Sequence, residues 1–168
     1  VPVARFPAIH EGIPQDQGLV LDDKHFNDLS SYLEIADDAR ILLAANLNVD
    51  HGLINGAQGN IVAIVYQHDH HPNHEHIRQR MPHYLIVNFP QYSGPSFWDE
   101  HEYPERKTWI PLLPRTISDA TNAAITRTQF PITLAWALTP WKAQGMTLDL
   151  AVVRLGSAAS NPGVAFVT

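Results

Sequence analysis

The chain has no cysteine, so its 168 residues can supply neither a disulfide framework nor a thiolate metal site. No apolar run approaches the ~20 residues that cross a bilayer as a helix, and no membrane partner is expected. Basic side chains are scarce in the first half. Residues 1–76 hold three against eleven acidic ones (−8), whereas residues 77–168 hold eight against six (+2). The overall charge of −6 argues against a free-standing nucleic-acid binder, which needs clustered Lys and Arg to neutralise phosphates. Any polyanion contact is therefore expected from the second half. Neither an initiator methionine nor a signal peptide opens the chain at Val1-Pro2-Val3-Ala4-Arg5, which reads as excised from something longer. Also missing is the G-x-x-x-x-G-K-[ST] loop that cradles nucleotide phosphates.

What is present is a 45% apolar composition suited to a globular protein of one ordinary domain or two small ones. Strands are predicted at Val3–His10, Arg40–Ala45, the β-branched run Asn60–Tyr66, and His83–Phe89. Thr108–Leu112 reads as an edge strand because of Pro111. Asp28–Ala36 carries Leu29, Leu33 and Ala36, a pattern too short to separate helix from irregular connection. Asp50–Gly59 contains Asn55-Gly56, a turn signal in which both residues tolerate positive φ; locally it reads as a hairpin loop without chemistry. Residues 67–83 form a polar, histidine-rich loop.

The segment Gln129–Asp149 carries the most chemistry. Ile132–Leu138 alternates Ile132, Leu134, Trp136 and Leu138 against Thr133, Ala135 and Ala137, as in a strand covered on both faces. Thr139 is a good N-cap, Pro140 suits the first helical position, and Gly145 can close a helix in the left-handed conformation. A single helical turn over Pro140–Gln144 would aim free amides at an anion. Lys142 adds a point charge suited to phosphate and Gln144 a two-way hydrogen-bonding group. On local grounds the same residues also read as a capped connection with solvated Lys and Gln. Neighbouring strands are predicted at Ala151–Gly156 and Val164–Val167.

Read together, these segments resemble one family. Lys142-Ala143-Gln144-Gly145-Met146-Thr147-Leu148-Asp149 resembles the K-S-Q-G-M-T-L-D of Pif-type superfamily-one DNA helicases, including those of Helitron-type transposons. Gln129-Phe130-Pro131 with Leu134-Ala135-Trp136-Ala137 is similar to the Q-F-P-L-x-L-A-W-A before it. Ala39–Leu43, Asn46–Val49 and Gly52–Gly59 resemble A-R-V-M-L-x-x-N-L…G-L-V-N-G-A-x-G. Tyr92–Pro95, Ile110–Leu112 and Arg127-Thr128 fall in the family's order. The resemblance covers nearly the whole chain.

The resemblance implies an α/β fold: part of a RecA-like P-loop NTPase second motor domain, with an inserted small Src-homology-type β-barrel. The motor portion would be 1–47 and 129–168, and the insertion 48–128 with the histidine loop 67–83. It implies an ATP-dependent 5′-to-3′ helicase that couples hydrolysis to translocation on single-stranded DNA or at forks, with ATP and Mg²⁺ in the complete enzyme. Thr139, Trp141 and Lys142 would contact DNA. Gln144 and Gly145 would lie near the terminal phosphate and couple its state to DNA grip. Asn55 and Gly56 would be turn residues. Partners would be the DNA and an N-terminal motor domain, with nuclear or mitochondrial placement by family analogy. The chain departs from the pattern at Pro140 (an aliphatic residue in relatives), Trp141 (histidine), Ala143 (serine) and Arg154 (often acidic). Trp141 could still stack a base. The family's L-S-R segment, whose arginine neutralises transition-state charge, is expected just after Thr168. No catalytic residue is expected within these residues, and negligible ATP turnover from them alone. A second reading is a non-catalytic nucleic-acid-binding remnant of a transposon helicase.

A third reading rests on the histidines. His68, His70, His71, His74 and His76, with Asp69 and Glu75, hold enough imidazoles and carboxylates for Zn²⁺ or Ni²⁺. In a flexible loop without supporting hydrogen bonds, adventitious binding is the expectation.

Overall fold

In the computed structural model, residues 3–136 are described. The chain divides into two units, Val1–Leu134 and Ala135–Thr168, and the architecture below is that of the first. Among the described residues it holds ten short strands, one five-residue helix, α1 (Gln15–Leu19), and four short 3₁₀ turns.

β1 (Ala4–Pro7) pairs with β3 (Tyr32–Ile35) in a two-stranded ribbon. β2 (Ile9–Glu11), β9 (Thr126–Gln129) and β8 (Arg115–Ser118) form a three-stranded sheet with β9 in the middle. The largest sheet has five strands in the order β10 (Ile132–Leu134), β4 (Arg40–Leu43), β5 (Gln58–Val65), β6 (Tyr84–Asn88) and β7 (Trp109–Leu112). Every strand pair among the described residues is antiparallel.

The β-branched run of β5 gives the longest strand, as β propensity predicts. A register shift between Ile61 and Ala63 interrupts its ladder with β6. β6 alternates cleanly, with Leu85 and Val87 buried. Among the described residues β7 is the last strand of its sheet, so Pro111 stands on the edge there, as the sequence suggests. The Phe89 amide donates to the Thr108 carbonyl (2.9 Å), which fixes the alternation of the ladder. Pro111, opposite Ile86, therefore falls at a non-hydrogen-bonded position and directs its missing donor outward.

The core is filled by Phe6, Ile35, Ile41, Leu43, Leu85, Phe130 and Ile132, all essentially inaccessible to water. Phe6 of β1 meets Phe130 edge-on, with ring centroids 5.9 Å apart. That pair ties the amino-terminal ribbon to the link between β9 and β10.

Several expectations are revised. The strand foreseen at Val3–His10 is two strands broken at Ala8. The undecided segment 28–36 ends in strand β3, because Leu33 and Ile35 point inward with period two. Asn27 and Asp28 precede it in the left-handed region (φ 54° and 59°). The loop at 67–83 contains a 3₁₀ turn, Ile77–Arg80, and a buried Met81. The strand expected over Ile132–Leu138 is, among the described residues, β10 alone, paired antiparallel with β4. Its Leu134 is 40% exposed rather than buried. The strands expected at Ala151–Gly156 and Val164–Val167 lie outside the described residues. The insertion expected over 48–128 stays a proposal: β4 and β5, on either side of 47/48, share a ladder, and 128/129 falls inside β9.

Candidate functional site

Thr139, Trp141, Lys142, Gln144 and Gly145 lie outside the described residues. The root of their segment is described, and it is firmly set. Gln129 and Phe130 are fully buried. The Phe130 amide donates to Gln129 Oε1 (3.0 Å), and the Ala44 amide donates to the Pro131 carbonyl (2.8 Å). Within Phe130-Pro131 the chain passes from the three-stranded sheet into the five-stranded one.

Three residues before Phe130 stands a side chain with every donor engaged. Arg127 projects from β9 to the inward side and is fully buried. Its guanidinium has five N–H donors, and five acceptors meet them. Nε donates to His10 Nε2 (2.9 Å), and Nη1 to the Leu29 carbonyl (2.7 Å) and the Asp23 carboxylate. Nη2 donates to the carbonyls of Gly18 (3.1 Å) and Leu21 (3.0 Å). The guanidinium carbon lies 4.2 Å from the Phe26 ring centroid. An arginine without such partners could not remain buried and charged.

His10 completes the arrangement. Because Nε2 accepts, the ring proton belongs on Nδ1. Burial first, and then the Arg127 charge, push the imidazole down to about 4, against a hydrogen bond with Gln15 that raises it. Gly18 has to be glycine here, since a Cβ would lie 2.4 Å from the His10 ring. A second fastening lies nearby. Asp119 accepts from the Thr121 amide and hydroxyl (both 2.6 Å) and the Asn122 amide (3.0 Å), and faces His25 Nδ1 at 3.2 Å. The Thr121 hydrogen bonds chiefly hold its carboxyl down at about 2.

Sequence reading assigned Arg127 only a place in a motif. The available signal was its position in Thr126-Arg127-Thr128-Gln129, where strand periodicity puts a charge on the same face as Gln129.

The glycine-rich connection and the Tyr92–Pro95 turn, separate in sequence, meet in space. The Ser93 amide donates to the His51 carbonyl (3.2 Å), and the His51 and Tyr92 rings contact edge-on at 6.2 Å. Tyr92 donates its hydroxyl to the Pro95 carbonyl (3.0 Å). The Ala57 amide closes a turn onto Ile54 (2.9 Å), with Gly56 at φ 90°. Of the Asn55-Gly56 pair only Gly56 takes positive φ, which suits a type II turn rather than the primed hairpin turn. The Asn55 amide is held by Asn46 Oδ1 (2.7 Å). These groups bond one another and build no catalytic constellation.

A second arginine is enclosed by aromatic rings. The Arg106 guanidinium carbon lies 4.0 Å from the Tyr103 centroid, 5.2 Å from Trp109 and 5.3 Å from Trp98. Trp98 donates its indole N–H to the Trp109 carbonyl (2.9 Å).

The histidines are engaged locally. His68 Nδ1 faces Asp69 (2.9 Å), the His76 amide donates to His74 Nδ1 (3.0 Å), and His74 and His76 stack at 5.6 Å. His70 Nδ1 lies 3.5 Å from the Met81 carbonyl, and His71 packs against His74 at 5.1 Å. Among the described residues no group of three or more His, Asp or Glu side chains converges to hold a metal ion.

Comparison with known proteins gives a consistent set of relatives. No protein-family model matches the chain. It is 29% identical over 147 residues to an ATP-dependent DNA helicase PIF1 of Danio rerio, covering 88% of this chain and 19% of that protein. It is 31% identical over 140 residues to the ATP-dependent DNA helicase PIF6 of Trypanosoma brucei brucei, covering 83% and 15%. The chain thus spans about a fifth or less of the length of these relatives. In fold it is similar to unliganded Pif1 from Bacteroides sp (TM-score 0.55, 18% identity, 98% of this chain and 32% of that one). It is also similar to Bacteroides Pif1 in complex with ADP-AlF3 and single-stranded DNA (TM-score 0.52, 18% identity, 97% and 31%).

Proposed function

We propose, from the premise that this chain is a relative of the Pif1-type superfamily-one helicases over a C-terminal portion of them, that it forms part of the second motor domain of an ATP-dependent DNA helicase. The observation that carries the reading is sequence identity sustained over more than four-fifths of the chain. The segment it favours as functional is the corner after β10. There Thr139, Trp141 and Lys142 grip single-stranded DNA, and Gln144 and Gly145 sense the terminal phosphate of ATP. Movement runs 5′ to 3′, on single strands or forks, with an N-terminal motor domain as the second lobe. In this reading the RecA-like core carries an inserted Src-homology-type barrel within 48–128, centred on the β5–β6–β7 meander.

ATP and Mg²⁺ belong to the complete enzyme. The 168 residues contain no phosphate loop, and the described ones offer no converging group of acidic side chains for a metal ion. ATP bound with Mg²⁺ supplies the phosphoryl-transfer chemistry. This chain's part is to position the corner, and Lys142 contributes a point charge toward DNA phosphate.

The test is the salt dependence of binding to a labelled oligothymidine. Neutralising one phosphate on a single strand contributes about 0.7 to the slope of log affinity against log salt. Lys142→Ala is expected to reduce the slope by that amount, and an unchanged slope removes Lys142 from the interface. The isolated 168 residues are expected to show no DNA-stimulated ATP hydrolysis.

A further inference from the structure

We infer that Asn55 is a self-modification site, converting to aspartate and isoaspartate by attack of the Gly56 nitrogen, at a rate set by local opening of its own turn. Asn55-Gly56 is the single Asn-Gly step in the sequence. Glycine leaves the attacking nitrogen unobstructed, and a Cβ built at Gly56 would meet nothing within 4 Å. Asn55 is exposed, and among the described residues no hydrogen bond holds its side-chain amide.

The reaction needs only water and hydroxide. Hydroxide takes the Gly56 amide proton, and the nitrogen attacks Asn55 Cγ. The N–Cγ bond forms, the Cγ–Nδ2 bond breaks, and ammonia leaves a five-membered succinimide. Water then opens one of the two carbonyls. Opening at Cγ gives aspartate on the original main chain. Opening at the backbone carbonyl gives isoaspartate, with the chain running through Cβ and Cγ. Nothing is oxidised or reduced.

The fold withholds the nucleophile. The Gly56 amide donates to the Leu43 carbonyl (2.8 Å), and the Ala57 amide closes the turn on the Ile54 carbonyl (2.9 Å). The Asn55 amide is fastened to Asn46 Oδ1 (2.7 Å). In a type II turn the first central residue has ψ of about +120°, which carries the next nitrogen away from the side chain. Ring closure therefore requires ψ at Asn55 to rotate and the Gly56 hydrogen bond to break. These bonds belong to an exposed connection, the kind of segment that opens while the core stays closed. Isoaspartate would lengthen the main chain between β4 and β5 and set the Gly56 amide out of register with Leu43.

The experiment incubates the full chain at mildly alkaline pH, folded and in urea. Peptide mapping follows conversion at each asparagine, and isoaspartyl methyltransferase labels the product. In urea Asn55 is expected to convert before every other asparagine. In the folded chain it should convert about twentyfold more slowly, because at least two backbone hydrogen bonds open first, each a factor of roughly five. No preferential conversion at Asn55 in urea overturns the site, and equal rates in the two states overturn the gate. Asn46→Ala, at an exposed position, removes the acceptor of the Asn55 amide. Conversion in the folded variant is expected to rise by roughly fivefold, with the rate in urea unchanged. A rise no larger than the loss of global stability explains assigns the reaction to global unfolding and overturns local opening. If Asn46→Ala does not fold, hydrogen exchange in the unmodified chain decides. Faster exchange at the Gly56 amide than at the buried Ile61 amide, which donates to the Ala39 carbonyl (3.0 Å), sustains local opening, and equal protection overturns it.

Discussion

Arg127 and Arg106 are both enclosed arginines, but they are held by opposite means. Arg127 is surrounded by oxygens and one imidazole nitrogen, and every donor finds a lone pair. Arg106 is surrounded by the faces of three aromatic rings, faces the Glu105 carboxylate at 3.3 Å from Nε, and keeps part of its side chain in water. The first arrangement is directional, and removing the guanidinium leaves buried acceptors such as the Leu21 and Leu29 carbonyls without a partner. The second is diffuse, with each ring contributing about 0.5–1 kcal/mol at an exposed site. One fixes an orientation, and the other holds a loop against an edge.

The largest effect expected from this difference is that of Arg127→Met. It leaves His10 Nε2 and the Leu21 and Leu29 carbonyls without their donor, while Asp23 keeps the Ser31 amide and Gly18 the Leu21 amide, and should cost about 3 kcal/mol in denaturant unfolding. A cost below about 1 kcal/mol would mean that the five bonds are not directional anchors.

The next prediction concerns pH. The folded pKa of His10, about 4, is depressed below its unfolded value near 6.5. Above pH 6.5 neither state binds the proton, and His10 imposes no penalty. Between about 6.5 and 4 the unfolded chain takes the proton first, so stability falls by about 3 kcal/mol and falls no further from this group below 4. His10→Gln should flatten the stability profile across that window. Asp119, depressed to about 2, acts lower: its contribution is present above about 4 and fades as pH falls through 2. A slope unchanged in His10→Gln would assign the acid sensitivity elsewhere.

Arg106→Ala should cost less, about 1–2 kcal/mol, and local proteolysis between residues 96 and 108 should rise more than global stability falls. Smallest of all is Arg78→Ala, which breaks a pair with Glu11 in which both side chains are mostly exposed. Double-mutant cycles on that pair should give at most about 0.5 kcal/mol, vanishing in high salt.

The contrast between the arginines also shows what was legible in the sequence. Strands β5 and β6 could be read because alternation and β-branching are local properties of the residues that carry them. β7 could be placed at an edge because Pro111 has no amide hydrogen. The Arg127 cluster could not be assembled this way, since its acceptors are backbone carbonyls, which every residue has. Only the fold selects Gly18, Leu21 and Leu29. The left-handed pair Asn27-Asp28 hid β3 by ending the preceding turn where helical spacing still seemed possible. For Asn55-Gly56, composition permitted two turn types, and the Asn46 side chain together with the Leu43 carbonyl favoured the one with a single positive φ. Of the proposed corner, the sequence supplied residue types and order, and the described structure supplies its root.

The outer side of β7 has a consequence for how the protein behaves at high concentration. Trp109 stands opposite Asn88, at a position whose polar groups face away from the sheet, and the Trp98 indole already occupies its carbonyl. Two residues on, Pro111 offers no hydrogen there at all. Among the described residues, a strand arriving from another molecule would therefore find one acceptor taken and one donor missing, which makes this margin a poor template for amyloid-like extension. Replacing Pro111 with valine and Trp98 with phenylalanine together would reopen it, and light scattering would then register the self-association that the native pair of residues prevents.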